Sequence, residues 1–135
     1  MREIKFRGRS SKDNKTWFTG SLVSLTDIDE AYIDHYDGLR RVIECYPVDT
    51  ATVGQFTGHY DVTGKEMYEG DIISGYFEED EWPAVVEWDE DTASFVLCGQ
   101  CSAIRFDDIG GLEVMIVGNV HDNPELQEAA HAQSD

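Results

Sequence analysis

Basic side chains are scarce in this chain. Ten lysines and arginines stand against 28 aspartates and glutamates, a formal net charge of −18 over 135 residues. Six of the ten lie in the first fifteen residues (Arg2, Lys5, Arg7, Arg9, Lys12, Lys15), beside only Glu3 and Asp13. The other 120 residues carry four basic against 26 acidic groups, a net of −22, which would repel a phosphate backbone. Direct nucleic-acid binding is therefore not expected, whereas docking onto a basic protein is favoured by attraction. Cysteine is also rare: three residues, an odd number, argue against a secreted disulfide framework and for reduced thiols. No stretch approaches the roughly 20 apolar residues of a membrane span. Met1-Arg2-Glu3-Ile4-Lys5 is charged with no apolar run behind it, unlike a secretory leader. The expectation is a soluble intracellular protein, without a membrane partner.

Helix-forming periodicity is the other absence. What fills the chain instead is short alternating segments with turns every 8 to 12 residues or so, the signature of a small barrel or sandwich. The sharpest stretch runs from Gln55 to Ile73. Gln55 to Tyr60 and Lys65 to Tyr68 alternate polar with apolar as a half-buried antiparallel pair does. Between them, Asp61-Val62-Thr63-Gly64 places an Asp where its side chain caps a turn and a Gly where positive φ is needed. Glu69-Gly70-Asp71 then turns the chain into Ile72–Phe77. No Lys-Ser/Thr pair or helix follows these glycines, so they serve turns, not a phosphate cradle.

In chain order, Ile4–Arg7 and Thr16–Gly20 read as a first hairpin, and its basic residues as a solvated face in preference to an anion site. Asp27-Ile28-Asp29-Glu30 with Asp34 and Asp37 suggests calcium, but the loop lacks the required Gly and terminal Glu. A second hairpin with its tip at Asp37-Gly38 fits better. Tyr46-Pro47-Val48-Asp49-Thr50 is the expected boundary, because proline lacks a ladder donor there and extends the residue before it. Trp82–Trp88, Ser94–Cys98, Ser102–Phe106 and Leu112–Val120 read as strands. Asn123 before Pro124 reads as a helix cap and first turn, with Glu125 suited to the dipole.

Candidate chemistry is thin. Cys98-Gly99-Gln100-Cys101 could be a redox pair or half a zinc site, but both flanks are strand-like and Gly-Gln suits a two-residue hairpin turn. Cys98 and Cys101 are thus weak metal candidates, with Cys45, His35, His59, His121 and His131 as the remaining pool. No Gly-x-Ser-x-Gly elbow is present. Trp17, Trp82 and Trp88 could form a stacking platform, although core or interface anchors suit so acidic a chain better.

Several ordered motifs carry a family resemblance. Arg2-Glu3-Ile4-Lys5-Phe6-Arg7, Thr52-Val53-Gly54, Gln55-Phe56-Thr57-Gly58, Asp61 with Gly64-Lys65-Glu66, Tyr68-Glu69-Gly70-Asp71-Ile72 and Val117 to Leu126 resemble the YopX family of small phage and prophage proteins. Gly8-Arg9 departs from the family's pattern, residues 22–45 match no part of it, and the Cys-x-x-Cys lies outside it. The resemblance implies an all-β fold. On that resemblance residues 1–50 are expected to form an N-terminal β subdomain, 51–122 an SH3-like barrel, and 123–135 a short helix with a frayed tail. It also implies self-association, no catalytic residue and no cofactor. The family motif residues Gln55, Phe56, Thr57, Gly58, Asp61, Gly64, Tyr68, Gly70, Asp71, Gly118, Asn119, Asn123 and Pro124 suit turns and packing. Three functions remain open. The first is a non-enzymatic accessory protein that contacts a basic partner or itself. The second is an acidic DNA mimic decoying a host nuclease or DNA-binding protein, and the third a metal or thiol enzyme at Cys98/Cys101.

Overall fold

The computed structural model describes residues 2–77, 80–99, 102–106 and 113–131, and the chain divides into two compact units, Met1–Phe56 and Thr57–Asp135. Nearly all regular structure is antiparallel β. In the first unit β1 (Phe6–Arg9), β2 (Trp17–Leu25), β3 (Glu30–Asp37) and β4 (Val42–Val48) are followed by a single 3-10 turn, Thr50–Thr52. The strands lie in the order β4-β3-β2-β1, and the first residues of β5 (Gly54–Tyr60) run along the other side of β1. Phe6 stands opposite Gly20, Val23 opposite Tyr32 and Ile33 opposite Tyr46.

Aspartates close the turns. The Asp13 carboxylate accepts the Lys15 and Thr16 amides at 2.8 and 3.0 Å, and Asp37 accepts those of Leu39 and Arg40 at 3.0 and 3.2 Å. These are side-chain-capped turns of the kind Asp favours. Asp37-Gly38 thus does sit at a hairpin tip, and Asp27–Asp29 lies in the turn before β3. The core of this unit is Ala31, Ile33 and Val48, packed by Phe6, Phe18, Leu22 and Val53.

Pro47 lies inside β4, which ends at Val48 within the stretch Tyr46–Thr50, and the 3-10 turn begins at Thr50. The Pro47 carbonyl accepts the Ser11 amide at 3.2 Å, and Asp49 N–H reaches the Arg9 carbonyl at 2.9 Å. Residues 47 and 49 therefore direct their polar groups away from β3. The N–H that proline lacks would have pointed to that outer edge, so the β3–β4 ladder loses nothing.

In the second unit the rest of β5 neighbours β6 (Glu66–Tyr68). β7 (Asp71–Phe77), β8 (Asp80–Asp89), β9 (Ser94–Gly99), β10 (Ser102–Arg105) and β11 (Val114–Asn119) form a five-stranded sheet, order β10-β9-β8-β7-β11, before the helix α1 (Pro124–His131). Both faces of the sheet are covered. On one, Ile73, Ala84, Val86 and Leu97 meet Met67 of β6; on the other, Ile72 and Val85 meet Ala130 and Leu126 of α1. That explains why Ile72-Ile73 and Ala84-Val85-Val86 are continuous apolar runs, since consecutive residues enter opposite cores.

The sheets are open, which corrects the closed barrel expected for 51–122. Among the described residues β10 and β11 end the row and do not pair with one another. The free edge of β11 is bonded instead by a turn: Val62 N–H donates to the Val114 carbonyl at 2.9 Å and Ile116 N–H to the Asp61 carboxylate at 3.0 Å. A turn thus takes the place that a closing strand would fill.

Candidate functional site

Asp61 is the most heavily engaged polar side chain of the motif. One carboxylate oxygen accepts the Thr63 amide at 2.9 Å, the Thr63 hydroxyl at 2.6 Å and the Lys65 amide at 2.9 Å, while the other takes Ile116 N–H. Only 6% of the residue is exposed. Burial pushes its pKa up, but these hydrogen bonds outweigh it and hold the carboxyl at about 2. Gly64, at φ 89°, completes the turn in a conformation other residues resist. Thr57 ties the hairpin from inside, its hydroxyl donating to the Met67 carbonyl at 2.9 Å. Gln55 pairs with Phe6, and buried Phe56 has the Lys5 ammonium 5.0 Å from its ring centre.

The Tyr68–Asp71 corner follows the same logic. Asp71, 2% exposed, accepts the Tyr68 amide at 2.8 Å. Gly70 N–H donates to the Val86 carbonyl at 2.8 Å, and its own carbonyl takes Val120 N–H at 2.9 Å.

The late motif is a second such corner. The Asn119 side-chain oxygen accepts the His121 and Asp122 amides at 3.0 and 2.9 Å, and its side-chain nitrogen donates to Asp122 at 3.0 Å. Asn123 sends its side-chain oxygen backwards, to the Asn119 amide at 3.2 Å. The cap expected of Asn123 is therefore made by its backbone carbonyl, which takes Leu126 N–H at 3.0 Å. A Cβ on Gly118 would stand 2.4 Å from the Asn123 side-chain oxygen, so only glycine leaves room for this contact. Pro124 opens α1, where a missing N–H costs nothing.

Cys98 lies within β9, opposite Val85, and Gly99 is laddered to Ser102. Gly99 is thus a strand residue and not part of the turn, and Cys101 lies outside the described residues. Burial, then the hydrogen bond and charge of Glu87 and the charge of Asp89, push the Cys98 thiol up to about 12. A thiol so placed stays protonated near neutrality and is a poor nucleophile or ligand. Cys45 is exposed in β4, its pKa raised chiefly by a hydrogen bond to Asp34. Among the described residues no group of three or more His, Cys, Asp or Glu is gathered as a metal site. His59 stacks on Phe106 at 4.3 Å, and burial lowers its pKa. Trp17 carries the Arg7 guanidinium at 4.9 Å, and Trp88 and Phe95 make a T-shaped contact at 5.0 Å. The Trp82 side chain lies outside the described residues. Lys5 pairs with Glu3 at 2.7 Å.

One concavity of the second unit combines carboxylates with an apolar floor. Glu69, Gly70, Val85, Val86, Glu87, Trp88, Glu90, Val120 and Gln127 line a groove of about 490 Å³. Trp88 is 46% exposed and lies on the Val86–Leu97 face of the sheet, opposite to Val85 and Glu87. Sequence reasoning missed this groove, because it joins the β6–β7 turn, the end of β8 and α1, which are far apart in the chain. Its trace in the sequence is a tryptophan set among acids, Glu87-Trp88-Asp89-Glu90. No helix is long and apolar enough to cross a membrane among the described residues.

The model of one protein family, described as YopX protein, matches residues 5–128. No curated protein matches the chain. Among solved structures, the crystal structure of protein EF1440 from Enterococcus faecalis is similar at a TM-score of 0.58 and 18% identity, over 93% of this chain and 99% of that one. At that identity the likeness speaks for the fold alone.

Proposed function

This chain belongs to the YopX family, and on that premise we propose that it is a non-enzymatic accessory protein of a phage or prophage, acting in the host cytoplasm by contact with a basic protein or with itself. An SH3-like character for residues 51–122, with its usual loop-and-face mode of contact, belongs to the same proposal. One observation carries the reading. The motif's polar side chains Asp61, Asp71, Asn119 and Asn123 are bound to backbone amides of their own corners, while the chain bears a net charge of −18. Residues held in this way set geometry, and an acidic exterior attracts basic proteins over about a Debye length.

The DNA-mimic reading has less support. Asp13, Asp37, Asp61 and Asp89 each cap a local turn, whereas a phosphate mimic needs carboxylates in evenly spaced rows. An enzyme centred on Cys98 has less still, given the protonated thiol.

The test is capture from bacterial lysate on the immobilised chain at low and at moderate salt. Retention of a basic protein at low salt and its release at moderate salt is the expected outcome. Recovery of no specific protein in either condition, or protection of DNA from host nucleases with no such protein bound, would overturn the proposal.

A further inference from the structure

β4 is the outermost strand of its sheet, and only its far end is covered. The Ser10–Val48 bridge, the bond from Ser11 N–H to the Pro47 carbonyl and that from Asp49 N–H to the Arg9 carbonyl close the edge from residue 47 onward. Strand residues turn their polar groups alternately to one side and the other. The bonds at 47 and 49 therefore mark Cys45 and Ile43 as the residues whose N–H and C=O face outward, and among the described residues neither meets a backbone partner there. The free edge of β11 is bonded by the Asp61-Val62 turn, whereas on β4 the usual protection by proline begins only at Pro47.

The side chains beside this open edge are apolar. Ile43 is 68% exposed and stands opposite Tyr36, itself 61% exposed, on the face turned away from Ile33 and Val48. Charge favours self-contact here and opposes it elsewhere. Residues 1–56 carry eight basic and nine acidic groups, a net of −1, while residues 57–135 carry two and 19, a net of −17. Two copies thus repel through their second units and meet without that cost through their first. Around the hairpin tip Asp37, Arg40, Arg41 and Glu44 sum to zero, and Arg40 pairs with both Asp37 and Glu44. A basic partner gains little from so balanced a surface; a second copy loses little.

Two identical strands that pair antiparallel about a two-fold axis must set outward-facing residues against each other. Centred on Glu44, the pair would oppose two like carboxylates. Centred on Cys45, it would set Ile43 against Pro47, which has no N–H and whose carbonyl is already bonded. Centred on Ile43, each Ile43 N–H meets the C=O of the same residue in the other copy, and Glu44 faces Val42. Tyr36 and Ile43 of both copies then form one apolar row across the joined sheet, each member beside the next.

We propose that the β4 edge is the docking site for a second copy of this chain, the two strands antiparallel about Ile43. This rests on the reading of the chain as a protein that acts by contact. It adds where the chain meets itself, and it leaves the acidic second unit to a basic partner.

Sedimentation velocity of the full chain, over a concentration series at low and at moderate salt, tests the edge. A monomer–dimer equilibrium is expected, tighter at moderate salt because screening relieves the repulsion between acidic units. That salt dependence is opposite in sign to the one expected for a basic partner. Ile43→Asp, at an exposed position, should raise the dimer dissociation constant at least about tenfold. Should that variant fail to fold, amide exchange of the wild type serves instead. Ile43 N–H should gain protection as concentration rises, while Glu44 N–H, which faces β3, is protected throughout. A chain that stays monomeric, or a dimer unchanged by Ile43→Asp with Ile43 exchanging freely, would overturn the edge. A monomeric wild type whose captured lysate protein is lost on Ile43→Asp would give the edge to another protein and overturn the second copy. Lysate capture separates the two levels. A basic protein retained by a monomeric chain leaves the functional reading standing without the edge, whereas neither capture nor self-association ends that reading itself.

Discussion

The two units bury their apolar residues to different degrees. The second places its five-stranded sheet between two clusters, so that Ile72 and Ile73, or Val85 and Val86, are each fully enclosed on opposite faces. The first encloses Ala31, Ile33 and Val48 on one side and leaves Tyr36, Leu39 and Ile43 largely in solvent, Leu39 at 98% exposure. A fully buried aliphatic side chain contributes on the order of 1.5–3 kcal/mol. The two-sided unit therefore has the larger reserve, and the first is expected to open at lower free energy.

The strongest way to break this comparison is to remove a side chain from the two-sided core. Leu97→Ala should cost about 3–5 kcal/mol, the range for a Leu→Ala cavity in a packed interior. Denaturant unfolding followed by Trp88 fluorescence reads it in the second unit. Native-state hydrogen exchange would place the amides of β7–β9 above those of β2–β4 in the wild type. Equal protection of both sets would remove the contrast.

A smaller effect sharpens it. Asp61→Asn replaces a carboxylate that receives four hydrogen bonds with an amide whose nitrogen must face a donor, at a cost of about 2 kcal/mol. The sign with pH follows from the depressed pKa. A free Asp titrates near ~3.9 and Asp61 at about 2, so its contribution is complete above pH ~4 and is lost as pH falls from there toward 2. Acid titration of the wild type should show this loss in the second unit, and Asp61→Asn should lack it. A variant with the wild-type acid profile would show that Asp61 is not the group responsible.

The smallest effect belongs to the first unit. Pro47→Ala restores an N–H that points to the outer edge of β4, not into the ladder, so stability should change by less than about 1 kcal/mol. A larger loss in thermal unfolding would mean that the ring itself holds β4 against Ser10 and Ser11.

Which parts of this were legible in the sequence depends on the range of the interactions. The hairpin around Asp61-Val62-Thr63-Gly64 was readable because its capping bonds join residues at most four apart. The Asp37-Gly38 tip was readable for the same reason. How far β4 runs past Pro47 was not readable, because whether a proline breaks a strand depends on which edge its nitrogen faces, and register decides that. Closure of the second sheet misled likewise. Alternation and turns show that strands exist, but whether the first and last meet depends on what covers their edges. The backward turn of the Asn123 side chain was hidden by the close approach of Gly118, a contact that local cap statistics do not contain. The groove beside α1 was illegible, since Glu69, Glu87 and Gln127 become neighbours only through the fold.

The central claim is that the family motif builds corners and that binding is left to the acidic surface. Thermal unfolding of Asn119→Ala tests it, because that side chain accepts the His121 and Asp122 amides. A lowered midpoint, by roughly 5 °C or more, is the predicted result. An unchanged midpoint together with lost capture of the partner would contradict the claim and make the corner itself a binding site.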